Sequence, residues 1–217
     1  MKIAILGGSF NPLHIGHAMA ADTVIKELGY DKVLFVPTCI PPHKTLSGLS
    51  SPEQRLLMVK VFCDSEGEGH FELETCEIDR GGVSYTIDTV KYLSEKYKGK
   101  LDGKIGLIMG EEIAAEFEKW YCPDQIADLC ELIVFPRYSD YSSKDNSAHN
   151  KPTGTYEGDF NVRFNKDNFK YPCTVLEKPV LPVSSTEIRS RISEKRSFKY
   201  LVPGAVYEFI QENQLYR

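Results

Sequence analysis

The feature that most constrains this chain is its rhythm. Short apolar runs, each closed by glycine or proline, alternate with stretches of helical spacing. Lys2–Leu6 is apolar and stops at Gly7-Gly8, the pattern of a strand buried on both faces. Ile15–Leu28 follows with helical periodicity and stops at Gly29, and Lys32–Val36 is a second strand closed by Pro37. Ser51 caps a helix that has Pro52 at its first position and Gln54 placed to complete a capping box, running to about Cys63. The same reading predicts strands at Phe71–Ile78, Lys104–Met109, Leu132–Phe135 and Thr174–Leu176. Helices are expected over Ser84–Tyr97, Glu111–Trp120, Pro123–Leu129 and Pro203–Asn213, with one more capped by Ser184-Ser185-Thr186-Glu187 and running to about Ile192. Strands alternating with helices imply an α/β fold with a mostly parallel sheet covered on both faces.

The chain has 217 residues, enough for one large domain with its own core. We read residues 1–217 as a single domain with a small C-terminal helical part over 184–217. A polar stretch, 138–171, breaks the alternation and is expected to be a mobile excursion. With a net charge of −5 there is no global basic field for nucleic acid, though a local basic pocket remains open. Met1–Gly8 is too short an apolar run for a signal peptide, and no stretch is long enough to span a bilayer. The six cysteines, Cys39, Cys63, Cys76, Cys122, Cys130 and Cys173, form no Cys-x-x-Cys pair and read as buried free thiols. These points imply a cytoplasmic protein without membrane or nucleic-acid partners, and leave monomer and homo-oligomer both open.

Chemistry concentrates in Gly7-Gly8-Ser9-Phe10-Asn11-Pro12-Leu13-His14-Ile15-Gly16-His17, between the first strand and the first helix. Ligands of open parallel sheets bind at the carboxyl ends of strands. There the glycines admit a polyphosphate to the backbone, and the helix start offers N–H groups and positive dipole to an anion. His14 and His17, three apart, point the same way and can both donate to phosphate oxygens. A lone histidine at such a place is usually just hydrogen-bonded; two flanking a glycine after Gly-Gly weaken that bland reading. A zinc site lacks a third ligand nearby. Pro41-Pro42-His43-Lys44 could meet a second phosphate or be an ordinary exposed turn. Ser84-Tyr85-Thr86 could cap its helix or offer N–H groups to a carboxylate. Trp120-Tyr121 could be core or a flat wall for an aromatic ring. Ser184-Ser185-Thr186-Glu187-Ile188-Arg189 could be a plain cap with a solvated arginine or a second anion site.

Taken together, GGSFNPLHIGH, PPHK, EIDRGGVSYTIDT, the Gly110…Trp120-Tyr121 block and SSTEIR stand in a familiar order and spacing. From Lys2 to Arg217 the chain resembles the bacterial nicotinate-nucleotide adenylyltransferases of the His-x-Gly-His nucleotidyltransferase superfamily. The resemblance implies a Rossmann-like fold and adenylyl transfer from ATP, with Mg2+ on its polyphosphate, to nicotinate mononucleotide, giving deamido-NAD and pyrophosphate in NAD biosynthesis. It implies no protein metal ligands. By the same analogy His14 and His17 hold the α-phosphate, and Arg189 joins them in catalysis. Gly8, Ser9 and Phe10 line the nucleotide through their backbone, and Gly110 and Glu112 belong to the ATP site. Ser184, Thr186 and Arg189 hold the adenosine side and the β,γ-phosphates. His43, Lys44 and Arg137 lie near the mononucleotide. Tyr85, Thr86 and Tyr121 belong to its site, with Thr86 and Tyr121 offering backbone N–H groups to the carboxylate, and Trp120 stacks on the pyridine ring.

Two positions depart from the family pattern. Asn11 and Glu112 stand where aspartate is usual, so one carboxylate is lost and the other reaches a methylene further. The His-x-Gly-His motif also occurs in class I aminoacyl-tRNA synthetases, but this chain has no Lys-Met-Ser-Lys-Ser loop and no tRNA-binding extension. Pantetheine-phosphate adenylyltransferase is smaller and lacks the Ser-Tyr-Thr and Trp-Tyr segments. A non-catalytic nucleotide sensor is the remaining alternative, and intact His14, His17 and Arg189 argue against it.

Overall fold

The computed structural model describes residues 1–41, 50–136, 164–177, 181 and 183–217. Six strands, β1 (Ile3–Gly8), β2 (Lys32–Pro37), β3 (Phe71–Leu73), β4 (Ile105–Gly110), β5 (Cys130–Phe135) and β6 (Cys173–Val175), form one sheet in the order β3-β2-β1-β4-β5-β6. Every pairing is parallel. The α-helices among the described residues are α1 (Ile15–Leu28), α2 (Pro52–Glu66), α3 (Cys76–Arg80), α4 (Thr86–Lys96), α5 (Glu111–Ala114), α6 (Pro123–Leu129), α7 (Ser185–Ser193) and α8 (Gly204–Glu212). This is the α/β, Rossmann-like architecture that the alternation implies.

The strands divide the core in two because successive side chains point to opposite faces. From β1, Ala4 and Leu6 join a cluster with α1, α2, α7 and α8, while Ile3 and Ile5 join one with α4 and α6. Both faces are therefore covered, which is why the strands read as unbroken apolar runs. Chain order reverses between β1 and β4, and in open parallel sheets the ligand crevice lies at the carboxyl edge of such a reversal. Helix α1 ends where expected, with Gly29 in the left-handed region at φ 67° and its N–H on the Val24 carbonyl.

Two expected elements are cut short. The third strand stops at Leu73, and Cys76–Arg80 is helical instead. The alternation of Phe71-Glu72-Leu73-Glu74-Thr75-Cys76 mimics a strand, but the Glu74 carboxylate accepts the Cys76 N–H at 3.1 Å and turns the chain into α3. The helix expected over Glu111–Trp120 breaks after Ala114 and resumes as one 3-10 turn, Phe117–Lys119. Trp120 is then extended and Cys122 left-handed at φ 55°, the residue before Pro123 being barred from the α region. Of the polar stretch, 138–163 lie outside the described residues. Its end does not float: Phe169 and Tyr171 pack against Phe117, their ring centroids 6.0 and 5.2 Å from it.

Candidate active site

The loop from Ser9 to Leu13 connects β1 to α1 at the crevice. Phe10 takes a left-handed conformation, φ 45°, with its ring buried against Phe35. The Asn11–Pro12 bond is cis. His14 is the extended N-cap residue of α1 and is buried; His17, one turn on, is half-buried. Their rings stack with centroids 3.7 Å apart and planes 26° from parallel, and the Phe10 ring meets His17 edge-on at 5.1 Å. His17 Nδ1 accepts the His14 backbone N–H at 3.2 Å. That bond leaves Nε2 of a neutral His17 to carry the proton, making it a donor. The expectation that both imidazoles lie on one side of the helix start is met.

The loop's carbonyls are tied from behind. Arg55 on α2 donates to the Ser9 carbonyl at 3.0 Å and to that of Thr38 at 2.7 Å. Arg189 on α7 donates to the Asn11 carbonyl at 2.7 Å, and Ser185 to that of Pro12 at 2.8 Å. The first turn of α7 therefore docks on the loop that starts α1, and the two helix starts meet. Ser184 caps α7 by accepting the Glu187 N–H at 3.1 Å, and Thr186 Oγ1 accepts from Arg189 at 3.3 Å. The Asn11 side chain is wholly buried, and its Oδ1 accepts from Tyr216 at 2.8 Å and from the Ser50 backbone at 3.2 Å. A carboxylate there would bury charge, and the amide avoids it.

A second group of expected residues gathers beyond β2 and β4. Ser84 is buried: its N–H donates to the Ile40 carbonyl at 2.9 Å and its hydroxyl accepts the Cys39 N–H at 3.0 Å. The chain before α4 is thereby fastened to the chain after β2. Helix α4 begins at Thr86, later than expected, and its N-cap residue Tyr85 makes no side-chain cap bond. The Tyr85 and Tyr121 rings lie 4.9 Å apart, both at the surface, and half-buried Trp120 rests on Phe117 at 5.2 Å. Gly110 ends β4 and precedes α5, which carries Glu112; a Cβ at Gly110 would come within 3.3 Å of the Glu112 carboxylate. Behind this group the carboxylate of Glu77 is buried and accepts from Thr89 at 2.7 Å. Burial raises its pKa, with the Thr89 and Ser84 hydroxyls and Arg80 pulling the other way. His43, Lys44 and Arg137 lie outside the described residues.

The sequence reading passed over Arg55, Asn11 as a hub, Glu77 and Tyr216. Only Arg55 left a signal, as a charge on the apolar stripe of α2.

Residues 5–191 match the cytidylyltransferase-like family. The chain belongs to that family. A Treponema pallidum (strain Nichols) protein named "Probable nicotinate-nucleotide adenylyltransferase" is 38% identical over 217 residues, all of both chains. A Borreliella burgdorferi protein of the same name is 33% identical over 216 residues, covering 100% of this chain and 97% of that one. Among solved structures, the Plasmodium falciparum nicotinic acid mononucleotide adenylyltransferase complexed with NaAD superposes with a TM-score of 0.73 at 17% identity, over 99% of this chain and 97% of that one. The resemblance drawn from the motifs is borne out. Among the described residues no helix is long and apolar enough to cross a membrane, and no group of three or more His, Cys, Asp or Glu side chains could hold a metal ion.

Proposed function

We propose that the chain transfers the adenylyl group of ATP to nicotinate mononucleotide, releasing pyrophosphate and forming deamido-NAD, in the cytoplasmic synthesis of NAD. The observation that carries this reading is the stacked His14–His17 pair at the start of α1, with the first turn of α7 fastened to the same loop. An oxygen of the mononucleotide phosphate attacks the α-phosphorus of ATP, the bond to the β-phosphate oxygen breaks, and pyrophosphate leaves. The attacking phosphate is already anionic, so no activated side-chain nucleophile is needed. Catalysis is then positioning and stabilisation of charge that grows on the phosphoryl oxygens.

In this reading His14 and His17 donate to the α-phosphate, and Gly8, Ser9 and Phe10 present backbone to the polyphosphate. Ser184, Thr186 and Arg189 take the adenosine side and the outer phosphates, with Gly110 and Glu112 nearby. Arg189 already donates to the Asn11 carbonyl, and a guanidinium has further N–H groups for an anion. Tyr85, Thr86, Trp120 and Tyr121 take the mononucleotide, with His43, Lys44 and Arg137 contributing positive charge. Mg2+ enters with ATP as part of the substrate. The relatives' names support the choice of acceptor.

The test is incubation with ATP, Mg2+ and either nicotinate or nicotinamide mononucleotide, with products read by mass spectrometry. Deamido-NAD and pyrophosphate in equal amounts are expected. The start of α4 can receive a carboxylate but repels an amide NH2, so kcat/KM should favour the acid. Equal values would remove the acceptor assignment, and absence of product from both would remove the reading.

A further inference from the structure

On α2 the buried residues are Arg55, Met58, Val59, Phe62 and Cys63. They follow the spacing of a core-facing stripe, so a guanidinium occupies a place where an apolar side chain is expected. Arg55 is 1% exposed and among the largest fully buried side chains. Its partners are backbone carbonyls: Ser9 at 3.0 Å, Thr38 at 2.7 Å and Cys39 at 3.4 Å. Among the described residues its Nε has no hydrogen-bond partner and no carboxylate lies within ion-pair distance of it. Glu53, on the same helix, is at the surface, where water screens it.

A buried cation without a carboxylate is costly, and three carbonyl dipoles offset only part of that cost. A local rule broken this plainly marks a functional position. Two of the three carbonyls close β1 and β2: Ser9 follows Gly8, and Thr38, whose N–H donates to the Gly8 carbonyl at 2.9 Å, follows Pro37. A guanidinium pulling these carbonyls inward fixes the peptide planes of the loop that leads to His14.

We propose that Arg55 is a positioning residue of the nucleotide site and its buried counter-charge: it holds the Ser9 and Thr38 carbonyls back from the crevice, and its positive charge is neutralised when a polyphosphate binds above it. This rests on the functional reading above. The ligand class is a polyphosphate, ATP or pyrophosphate, and the acceptor mononucleotide is not required. An arginine serving only to fill the core would affect folding but not anion binding.

The experiment is titration calorimetry of the full chain with pyrophosphate and separately with Mg·ATP, without acceptor, alongside steady-state turnover. Wild type, Arg55→Met and Arg55→Lys are compared. Arg55→Met should bind both anions more weakly by on the order of tenfold, the effect of one partly screened charge. Arg55→Lys keeps the charge but loses the Nη2 bond to the Cys39 carbonyl and the planar guanidinium that aims Nη1 at the Ser9 and Thr38 carbonyls, so pyrophosphate affinity should stay near wild type while kcat falls about tenfold or more. Unchanged affinities in a folded Arg55→Met would overturn the proposal. Should that variant not fold, wild-type kcat in Arg55→Lys would overturn it, because a purely structural arginine predicts a lower Tm and nothing else. Wild-type protein that binds pyrophosphate but makes no deamido-NAD would instead count against the functional reading.

Discussion

The hydroxyl of Tyr216 donates to Oδ1 of Asn11 at 2.8 Å, across 205 positions of sequence. Ser50 donates to the same Tyr216 hydroxyl at 2.7 Å, and burial pushes the phenol up to about 12, so it stays a neutral donor at working pH. The chain beyond α8 is thus hydrogen-bonded to the residue whose carbonyl meets Arg189, one turn of chain before His14. Removing the donor by Tyr216→Phe should cost about 1–2 kcal/mol of unfolding free energy, the range for a buried hydrogen bond whose partner is left short. Denaturant unfolding measures it. A loss much larger than this would mean that the ring packing, not the hydroxyl, is what matters.

A second prediction concerns Glu77. Burial raises its folded-state pKa above the ordinary value of 4.5. Folding is therefore favoured when this group is protonated. Its contribution is fully present below the unfolded value and is lost as pH rises through the folded-state pKa. The Tm of wild type minus that of Glu77→Gln should accordingly be largest below pH ~4.5 and shrink toward pH ~7. A difference that grows toward neutral pH would contradict the burial account.

How much of this was legible beforehand differs by element, and the reason is local against tertiary control. Helices α1 and α6 begin and end where the spacing places them, at Ile15–Leu28 and Pro123–Leu129, because Gly29 and Pro123 are local punctuation. The bounds of β3 were not legible, since Glu74 turns the chain by a side-chain bond that alternation cannot encode. The His14–His17 pair could be foreseen because a helix start fixes it. The hub at Asn11 could not, because its partners Ser50 and Tyr216 are brought together only by the fold. Trp120 was open between core and wall; it is half-buried, with one side on Phe117.

The cysteines supply a third prediction. All six are free; Cys63, Cys76 and Cys130 are buried, while Cys39, Cys122 and Cys173 are half-buried. Burial pushes the thiols of Cys63, Cys76 and Cys130 up to about 12. In the native protein, iodoacetamide at pH ~8 should label Cys39 and Cys122 well before those three, as read by peptide mass spectrometry. Uniform labelling would contradict the packing of both cores.

A fourth prediction separates the two halves of the site. Trp120→Ala should raise KM for nicotinate mononucleotide by the equivalent of about 1–3 kcal/mol, the worth of one stacked ring. KM for ATP should stay near wild type, because the tryptophan lies past β4 and not on the loop before α1. Initial rates with each substrate varied in turn distinguish this. Equal effects on both KM values would mean that Trp120 acts through folding.

The account rests most on the imidazoles at the start of α1. Its direct test is His17→Ala, with kcat from initial rates and ATP affinity from calorimetry. A donor to charge that develops only during transfer should cost about 10²–10³-fold in kcat while ATP affinity changes by less than about threefold. Near-normal kcat, or a loss expressed wholly as weaker ATP binding, would contradict it.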